Sequence, residues 1–369
     1  MKRLRYANGM PDSQDLDNLR QQIDELDHKL IKLLSKRADI VVEVGKLKRE
    51  RETPIYAPHR ERAVLDRVLK ANEGPLSDKT IEAIYRELMS GSFQLEKPLA
   101  IAHLAPTGSF SHIAAIRHFG SSVECVGVPS IERVFREVAA GHCAYGLVPY
   151  ENSTSGGVTD TLDAFQEHDV TIYAEALIDI RHCLLCNGDP KQISAIASKP
   201  DVISQCRKWL TAMYPDVELI ETASSAKAVT LAAEDSSVAA LGSKLASAEY
   251  GVDIAIDNVQ DRAENITRFL ILAKEAAEQS GDDKSTIMFT TKHETGALVD
   301  VLAAFRDNGI NLSHIDKRPS GRVNWNYTFY IDADAHQDTD ELKAAVKTAG
   351  EFCKSIEVLG SYPKAGQVL

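Results

Sequence analysis

Between Asp15 and about Glu50 the apolar residues Leu19, Ile23, Leu26, Leu30, Leu33, Leu34, Val41 and Val44 recur at spacings near three and four. That period specifies one long amphipathic helix. Pro54 and Pro58 end the pattern. A second helix is predicted from about His59 through Val64, Leu65, Val68 and Leu69, and Gly74-Pro75 stops it. Ser77 is placed to cap a third, carrying Ile81, Ile84, Leu88 and Phe93. Three helices of such unequal length have no strand to pack on, so the long one needs a partner.

Basic residues mark the long helix. Arg20 and Arg37 are seventeen residues apart, roughly 25 Å along a straight helix. No small dicarboxylate spans that distance, so if both touch one ligand they come from different chains. Arg37 and Lys48 point almost the same way, and their long side chains can converge. Taken alone, any of these residues reads as part of a solvated stripe.

After Glu96-Lys97-Pro98 the pattern changes to alternating strands and helices. Leu99–Ala102, Val123–Val128, Ile131–Val138 and Tyr145–Val148 belong to a first α/β lobe. A second is expected from near Ala176. It includes Ile193–Ala197, Val202–Trp209, Val217–Ile220, Ala223–Ala233 and Ala239–Leu241, and the chain then returns through Asn265 to Leu272. A chain that leaves one lobe, builds another and returns makes a cleft, where ligands of such folds bind. The stretch Val148-Pro149-Tyr150-Glu151-Asn152-Ser153-Thr154-Ser155-Gly156-Gly157-Val158 follows a buried strand, with Thr159 or Asp160 as helix cap. Its hydroxyls, glycines and free backbone N–H groups read as an anion-receptive edge.

From Ala273 to Lys284 the chain is polar and reads as a linker. Beyond it, Thr286–Thr290, Gly296–Asn308, Ile310–Ile315, Tyr327–Ile331, Asp338–Ala349 and Ile356–Leu359 follow in the order βαββαβ.

The chain has 369 residues, enough for two to four domains. Its formal net charge of −12 argues against nucleic-acid or anionic-membrane partners, and a small anionic substrate would need a local basic cluster. No apolar run has the length of a membrane span, and the basic start Met1-Lys2-Arg3-Leu4-Arg5 lacks a signal peptide's apolar segment, so a cytoplasmic location is expected. Six cysteines are scattered; Cys183-x-x-Cys186 lies in a strand-like run without a second ligand pair, so no metal is expected.

Three motif groups carry a resemblance. Ala105-Pro106-Thr107-Gly108-Ser109-Phe110-Ser111-His112, the Val148–Val158 stretch with Thr161-Leu162-Asp163, and Glu264-Asn265-Ile266-Thr267-Arg268-Phe269 resemble the signatures of prephenate dehydratase. The residues before them resemble a helical chorismate mutase, and those after them an ACT regulatory module. In that order, over nearly the whole chain, they resemble the bifunctional chorismate mutase/prephenate dehydratase family of phenylalanine biosynthesis.

The resemblance implies a multidomain protein: N-terminal all-α mutase helices, a central two-lobed α/β dehydratase domain like the periplasmic binding proteins, and a C-terminal α+β ACT domain. The divisions it suggests are a disordered tail at 1–14, mutase at 15–97, dehydratase at 98–277, linker at 278–285, ACT domain at 286–362 and a tail at 363–369. For the mutase it implies Arg20 and Arg37 on carboxylates, Lys48 and Glu96 at the ether oxygen, Glu61 accepting from the ring hydroxyl, and Arg60 and Ser92 completing the set. For the dehydratase it implies Thr267 as the acid, polarised by Glu151, Asn152 and Ser153. Ser198 and Gln205 would line the cleft and Arg268 would hold a carboxylate. Gly296, Ala297 and Leu298 with Asp316, Arg318 and Pro319 would bind phenylalanine. Chorismate and prephenate are the implied substrates, phenylalanine the effector, and a homodimer or higher homo-oligomer the assembly; no cofactor is implied. Ala57, Glu96, Ala105, Lys199, Asp201 and Asp316-Lys317 depart from residues common in relatives. Two alternatives stay open: arogenate as second substrate, or a central domain that is a two-lobed amino-acid sensor.

Overall fold

The computed structural model describes residues 13–51, 53–319 and 327–369. The expected tail at 1–14 lies outside these except for Ser13 and Gln14, which open the first helix. Three helices come first: α1 (Ser13–Glu50), α2 (Pro58–Lys70) and α3 (Asp78–Glu96). Pro58 sits in the first turn of α2, where its missing N–H costs nothing. Ser77 Oγ caps α3, accepting from the Thr80 N–H at 3.2 Å. Only the C-terminal part of α1 packs, against α3. Gly45 allows this, since a Cβ there would stand 2.8 Å from Glu96 Cα. Further back, Leu19, Ile23, Leu26 and Leu30 are each more than half exposed. Among the described residues nothing covers this N-terminal half of the apolar stripe.

The first lobe runs β1 (Ala100–Leu104), α4 (Phe110–Phe119), β2 (Glu124–Val128), α5 (Ile131–Ala139), β3 (Tyr145–Asn152), β4 (Gly156–Gly157), α6 (Thr159–Phe165) and β5 (Thr171–Asp179). The second runs β6 (Cys183–Leu185), β7 (Ala195–Ser198), α7 (Pro200–Gln205), α8 (Arg207–Met213), β8 (Glu218–Glu221), α9 (Ser225–Glu234), β9 (Val238–Gly242), α10 (Lys244–Tyr250) and β10 (Ile254–Ile256). The chain returns as β11 (Ile266–Ala273). The first sheet has the order β2-β1-β3-β11-β5, with β4 on β3, and the second β10-β6-β9-β7-β8.

Two expectations need correction here. Ala176 does not open the second lobe: β5 pairs with β11 along its length, so the crossing comes at β6. The polar stretch after β3 is a hairpin, in which Glu151 faces Gly157 and Asn152 faces Gly156, and α6 begins after Val158 without a side-chain cap. Its N–H groups are not free for an anion, because Asn152 Oδ1 accepts from the N–H groups of Thr154 at 3.0 Å and Ser155 at 3.1 Å.

The C-terminal unit is β12 (Asp283–Thr291), α11 (Ala297–Asp307), β13 (Leu312–Pro319), β14 (Tyr327–Ala333), α12 (Asp340–Gly350) and β15 (Cys353–Pro363), with sheet order β13-β14-β12-β15. This is the expected βαββαβ order.

The first-lobe sheet is covered on both faces. On one, Ile55, Tyr56, Met89 and Phe93 of the helical domain pack with Tyr173, Ala176, Ile178 and Phe269. Tyr56 is the plug of this junction: its carbonyl accepts from Tyr173 Oη at 2.9 Å and its ring lies edge-on to Phe93, Phe119 and Tyr145. On the other face Tyr330, Leu359 and Tyr362 of the C-terminal unit pack with Leu162, Leu270 and Leu272. Residues 364–369, expected as a tail, lie along β5. There the Leu369 N–H donates to Leu177 O at 2.7 Å, and Gln367 Nε2 reaches Glu82 of α3 at 2.7 Å. Among the described residues no helix is long and apolar enough to cross a membrane.

Candidate active sites

A cavity of about 450 Å³ lies between the C-terminal half of α1, the start of α2 and the end of α3. Arg37, Lys48, Arg60, Glu61, Ser92 and Glu96 all line it. The helices bring them together from three stretches of sequence, and Ile40, Val41, Val44, Val64, Met89 and Phe93 supply an apolar wall. Arg37 donates to Ser92 Oγ at 2.8 Å, and Ser92 Oγ donates on to Leu88 O at 2.7 Å. Lys48 Nζ donates to Ile55 O at 2.7 Å and stands 2.8 Å from Glu96 Oε2. That last contact is an ion pair without hydrogen-bond alignment, since the buried Oε2 has no hydrogen-bond partner. Arg49 donates to the Glu96 carbonyl, fixing the end of α3 against α1. Burial pushes the Glu61 carboxyl up to about 7, and nearby Arg86 partly opposes the rise. Arg20 stands apart: it is exposed, pairs with Asp17 at 3.2 Å and lines no part of this cavity.

The second site lies where β3 and β11 run side by side. Thr267 and Asn152 are cross-strand partners, and Asn152 Nδ2 donates to Thr267 Oγ1 and to Asn265 Oδ1, both at 2.8 Å. Asn265 Nδ2 in turn donates to Gln205 Oε1 at 3.0 Å, which ties this strand pair to the second lobe. Thr267 Oγ thus accepts from Asn152 and keeps its own O–H to give. A cavity of about 330 Å³ opens beside Asn265, lined by Thr154, Ser155, Gln205, Lys208 and Arg262 among others. Lys208 and Arg262 escaped the sequence reading because fifty-four residues separate them and no motif joins them.

The strand pleat removes several expected members of this site. Ser153 Oγ accepts from the Ile266 N–H at 3.0 Å, a bond that joins the two strands and leaves Thr267 alone. Glu151 turns to the far face, with Oε2 3.4 Å from His314 Nδ1 of β13. His314 holds the Glu151 carboxyl below its usual range, against the effect of burial. Arg268, expected on a substrate carboxylate, faces the same way. Its guanidinium is buried, donating to Glu175 at 2.7 Å, to Tyr362 Oη at 2.8 Å and to Asp332. Ser198 is fully buried and spends its hydroxyl on Leu241 O at 2.9 Å. Cys183 and Cys186 are buried thiols; Cys183 donates to Asp257 at 3.2 Å.

In the C-terminal unit Gly296 takes a left-handed φ of 87° at the start of α11 and, with Ala297 and Leu298, lines a small open cavity of about 260 Å³. Asp316, Arg318 and Pro319 are not part of it. Arg318 is level with Thr290 across β14, so two strand spacings, roughly 10 Å, separate it from β12. It is bound instead to Asp163 of α6 at 2.8 and 2.7 Å. Asp316 lies against Gly157, where any side chain would collide with it. Within one chain the two halves of the expected phenylalanine site are therefore apart.

Fold and sites together define an enzyme of two catalytic domains followed by an ACT domain. Family models match in that order: chorismate mutase type II over residues 19–97, prephenate dehydratase over 101–277 and the ACT domain over 285–351. The bifunctional chorismate mutase/prephenate dehydratase of Pseudomonas aeruginosa is 39% identical over 363 residues, covering 96% of this chain and all of that one. Its counterpart in Aquifex aeolicus is 37% identical over 95% of this chain and 99% of its own length. Among solved structures, the prephenate dehydratase of Arthrobacter aurescens in complex with L-Phe is 29% identical. It covers 73% of this chain and 92% of its own, with a TM-score of 0.68. The chain belongs to the bifunctional chorismate mutase/prephenate dehydratase family.

Proposed function

We propose that the chain converts chorismate to prephenate at the helical site and prephenate to phenylpyruvate at the cleft. The observation that carries this is the convergence of Arg37, Lys48, Arg60, Glu61, Ser92 and Glu96 on one cavity, from helices that share no sequence motif. The first step is pericyclic: one C–O bond breaks as one C–C bond forms, with no proton or covalent intermediate. Such a site can only hold the reactive conformer and stabilise charge on the ether oxygen. Arg37 holds a carboxylate through charge-assisted bonds, Lys48 donates to the ether oxygen, Glu96 faces that oxygen and can donate to it only as the carboxylic acid, and Glu61 accepts from the ring hydroxyl. Arg20, far along α1, serves the cavity of a second chain, and the uncovered stripe of α1 supports a homodimer.

In the second step prephenate dianion and one proton give phenylpyruvate, carbon dioxide and water. The electron pair of the ring–carboxylate bond enters the ring as the C–O bond breaks. The departing hydroxide takes the Thr267 proton, which water replaces. Asn152 stabilises the charge left on Thr267 Oγ by the hydrogen bond it already donates. Phenylalanine acts as feedback effector at the ACT domain, which in a dimer can draw Gly296-Ala297-Leu298 from one chain and Arg318-Pro319 from another. We place the enzyme in the cytoplasm and retain the division at 15–97 and 98–277, with the ACT domain opening at Asp283, since residues 283–285 of the expected linker are already paired with β15.

Assays on chorismate and prephenate separately test the pairing. Thr267→Ala is expected to abolish dehydration while chorismate is still consumed, and Lys48→Ala to do the reverse. Loss of both activities in either folded variant would contradict the assignment.

A further inference from the structure

With Arg268 turned to the other face, the dehydratase cleft lacks the cation expected there. Prephenate carries two carboxylates, and a chain of formal net charge −12 repels a dianion unless positive charge is concentrated locally. The cavity beside Asn265 supplies it. Lys208 and Arg262 line its walls, are exposed to solvent, and make no ion pair among the described residues. Their backbones are held together by Asp261, whose two carboxylate oxygens accept from the N–H groups of Lys208 and Trp209, both at 2.9 Å. That carboxylate is therefore occupied, and Asp201 is the other anion at the rim.

We propose that Arg262, assisted by Lys208, binds the side-chain carboxylate of prephenate and sets the enzyme's preference for the keto acid. The proposal rests on the dehydratase reading and adds its specificity. The choice between the two carboxylates follows from the chemistry. The ring carboxylate must leave as neutral carbon dioxide, and an ion pair would hold back its charge. The side-chain carboxylate survives into the product, so binding it costs the reaction nothing. A guanidinium presents two parallel N–H donors to such a group. In arogenate an ammonium stands next to that carboxylate and would face the same two cations, which disfavours it.

The test compares kcat and KM for prephenate and for arogenate in the full-length wild type, Arg262→Gln, Lys208→Gln, the double variant and the charge-keeping Arg262→Lys. Mutase activity of the same samples reports folding. Arg262→Gln is expected to raise KM for prephenate roughly tenfold, the scale of a hydrogen bond to a charged group, with kcat changed far less. The prephenate-to-arogenate ratio of kcat/KM should fall, and Arg262→Lys should recover part of it. Added salt should raise KM for prephenate in the wild type more than in the double variant. If the double variant keeps the wild-type KM and ratio, this assignment is overturned while the dehydratase reading stands. A wild type that makes no phenylpyruvate from prephenate overturns both.

Discussion

Replacing Arg268 by glutamine distinguishes a residue that binds substrate from one that holds two domains together. The guanidinium is the shared cation of Glu175 on β5 and Asp332 on β14, with Tyr362 Oη of β15 as a third partner. Lys284 remains near Glu175 at 3.2 Å in the variant, so that carboxylate keeps a counter-charge. Asp332 is fully buried and, among the described residues, its carboxylate keeps only the Thr286 hydroxyl, at 2.7 Å. Removing one partner of a buried pair costs about 3–5 kcal/mol, mostly as the penalty of the charge left behind.

A chain of three domains has no single unfolding free energy, so the loss is best read locally. Amide hydrogen exchange in β11 and β14 reports opening of that interface directly. A loss of 3–5 kcal/mol should speed exchange there by roughly 10² to 10³ or more, while amides of α2 and α3 change little. Adding Asp332→Asn removes the stranded charge and should restore most of the protection, a non-additivity that marks a direct pair. Unchanged exchange in Arg268→Gln, with a raised KM for prephenate, would refute the structural assignment.

Two further predictions concern the mutase. The Glu61 carboxyl, raised to about 7 by burial, accepts from the ring hydroxyl more strongly as a carboxylate than as an acid, so mutase kcat/KM should climb as pH rises through about 7, and Glu61→Gln should lose that limb. Because the folded form binds its proton more tightly than the unfolded one, the same group makes stability fall as pH rises from about 4.5 to about 7, and thermal denaturation of Glu61→Gln should not show that decline. Arg20→Ala and Arg37→Ala should each lack mutase activity, yet co-refolding them should recover it, since one site of the mixed dimer holds both arginines; proven heterodimers without activity would sink the shared site.

The helical site was legible through the family resemblance, and helical spacing supported part of it. Arg37 and Lys48 share a face of α1, and the prolines and Ser77 mark where α2 and α3 begin. What the sequence did not reveal there is Gly45, whose missing side chain lets α1 approach Glu96, and Tyr56, whose burial docks the helices on the first-lobe sheet. Both depend on a neighbour distant in sequence, so no local pattern announces them. The second lobe was placed too early for a related reason. Strand β5 reads like any apolar strand, and only its pairing with β11, almost a hundred residues later, assigns it to the first sheet.

The dehydratase site was legible by motif and misread by face. Glu151-Asn152-Ser153 and Thr267-Arg268 are runs of adjacent polar residues, and adjacency suggests one cluster. In an extended strand successive side chains point to opposite sides. Asn152 and Thr267 therefore meet near the cleft, while Glu151 and Arg268, one residue along each strand, meet the C-terminal domain through His314 and Asp332. The motif has two readers. One half of it holds the Thr267 hydroxyl, the proposed proton donor, and the other half binds the ACT domain to the strand that carries this hydroxyl. The buried charge of Arg268 belongs to the second task, and the proposed contact with a substrate carboxylate falls instead to Lys208 and Arg262, cations that no motif contains.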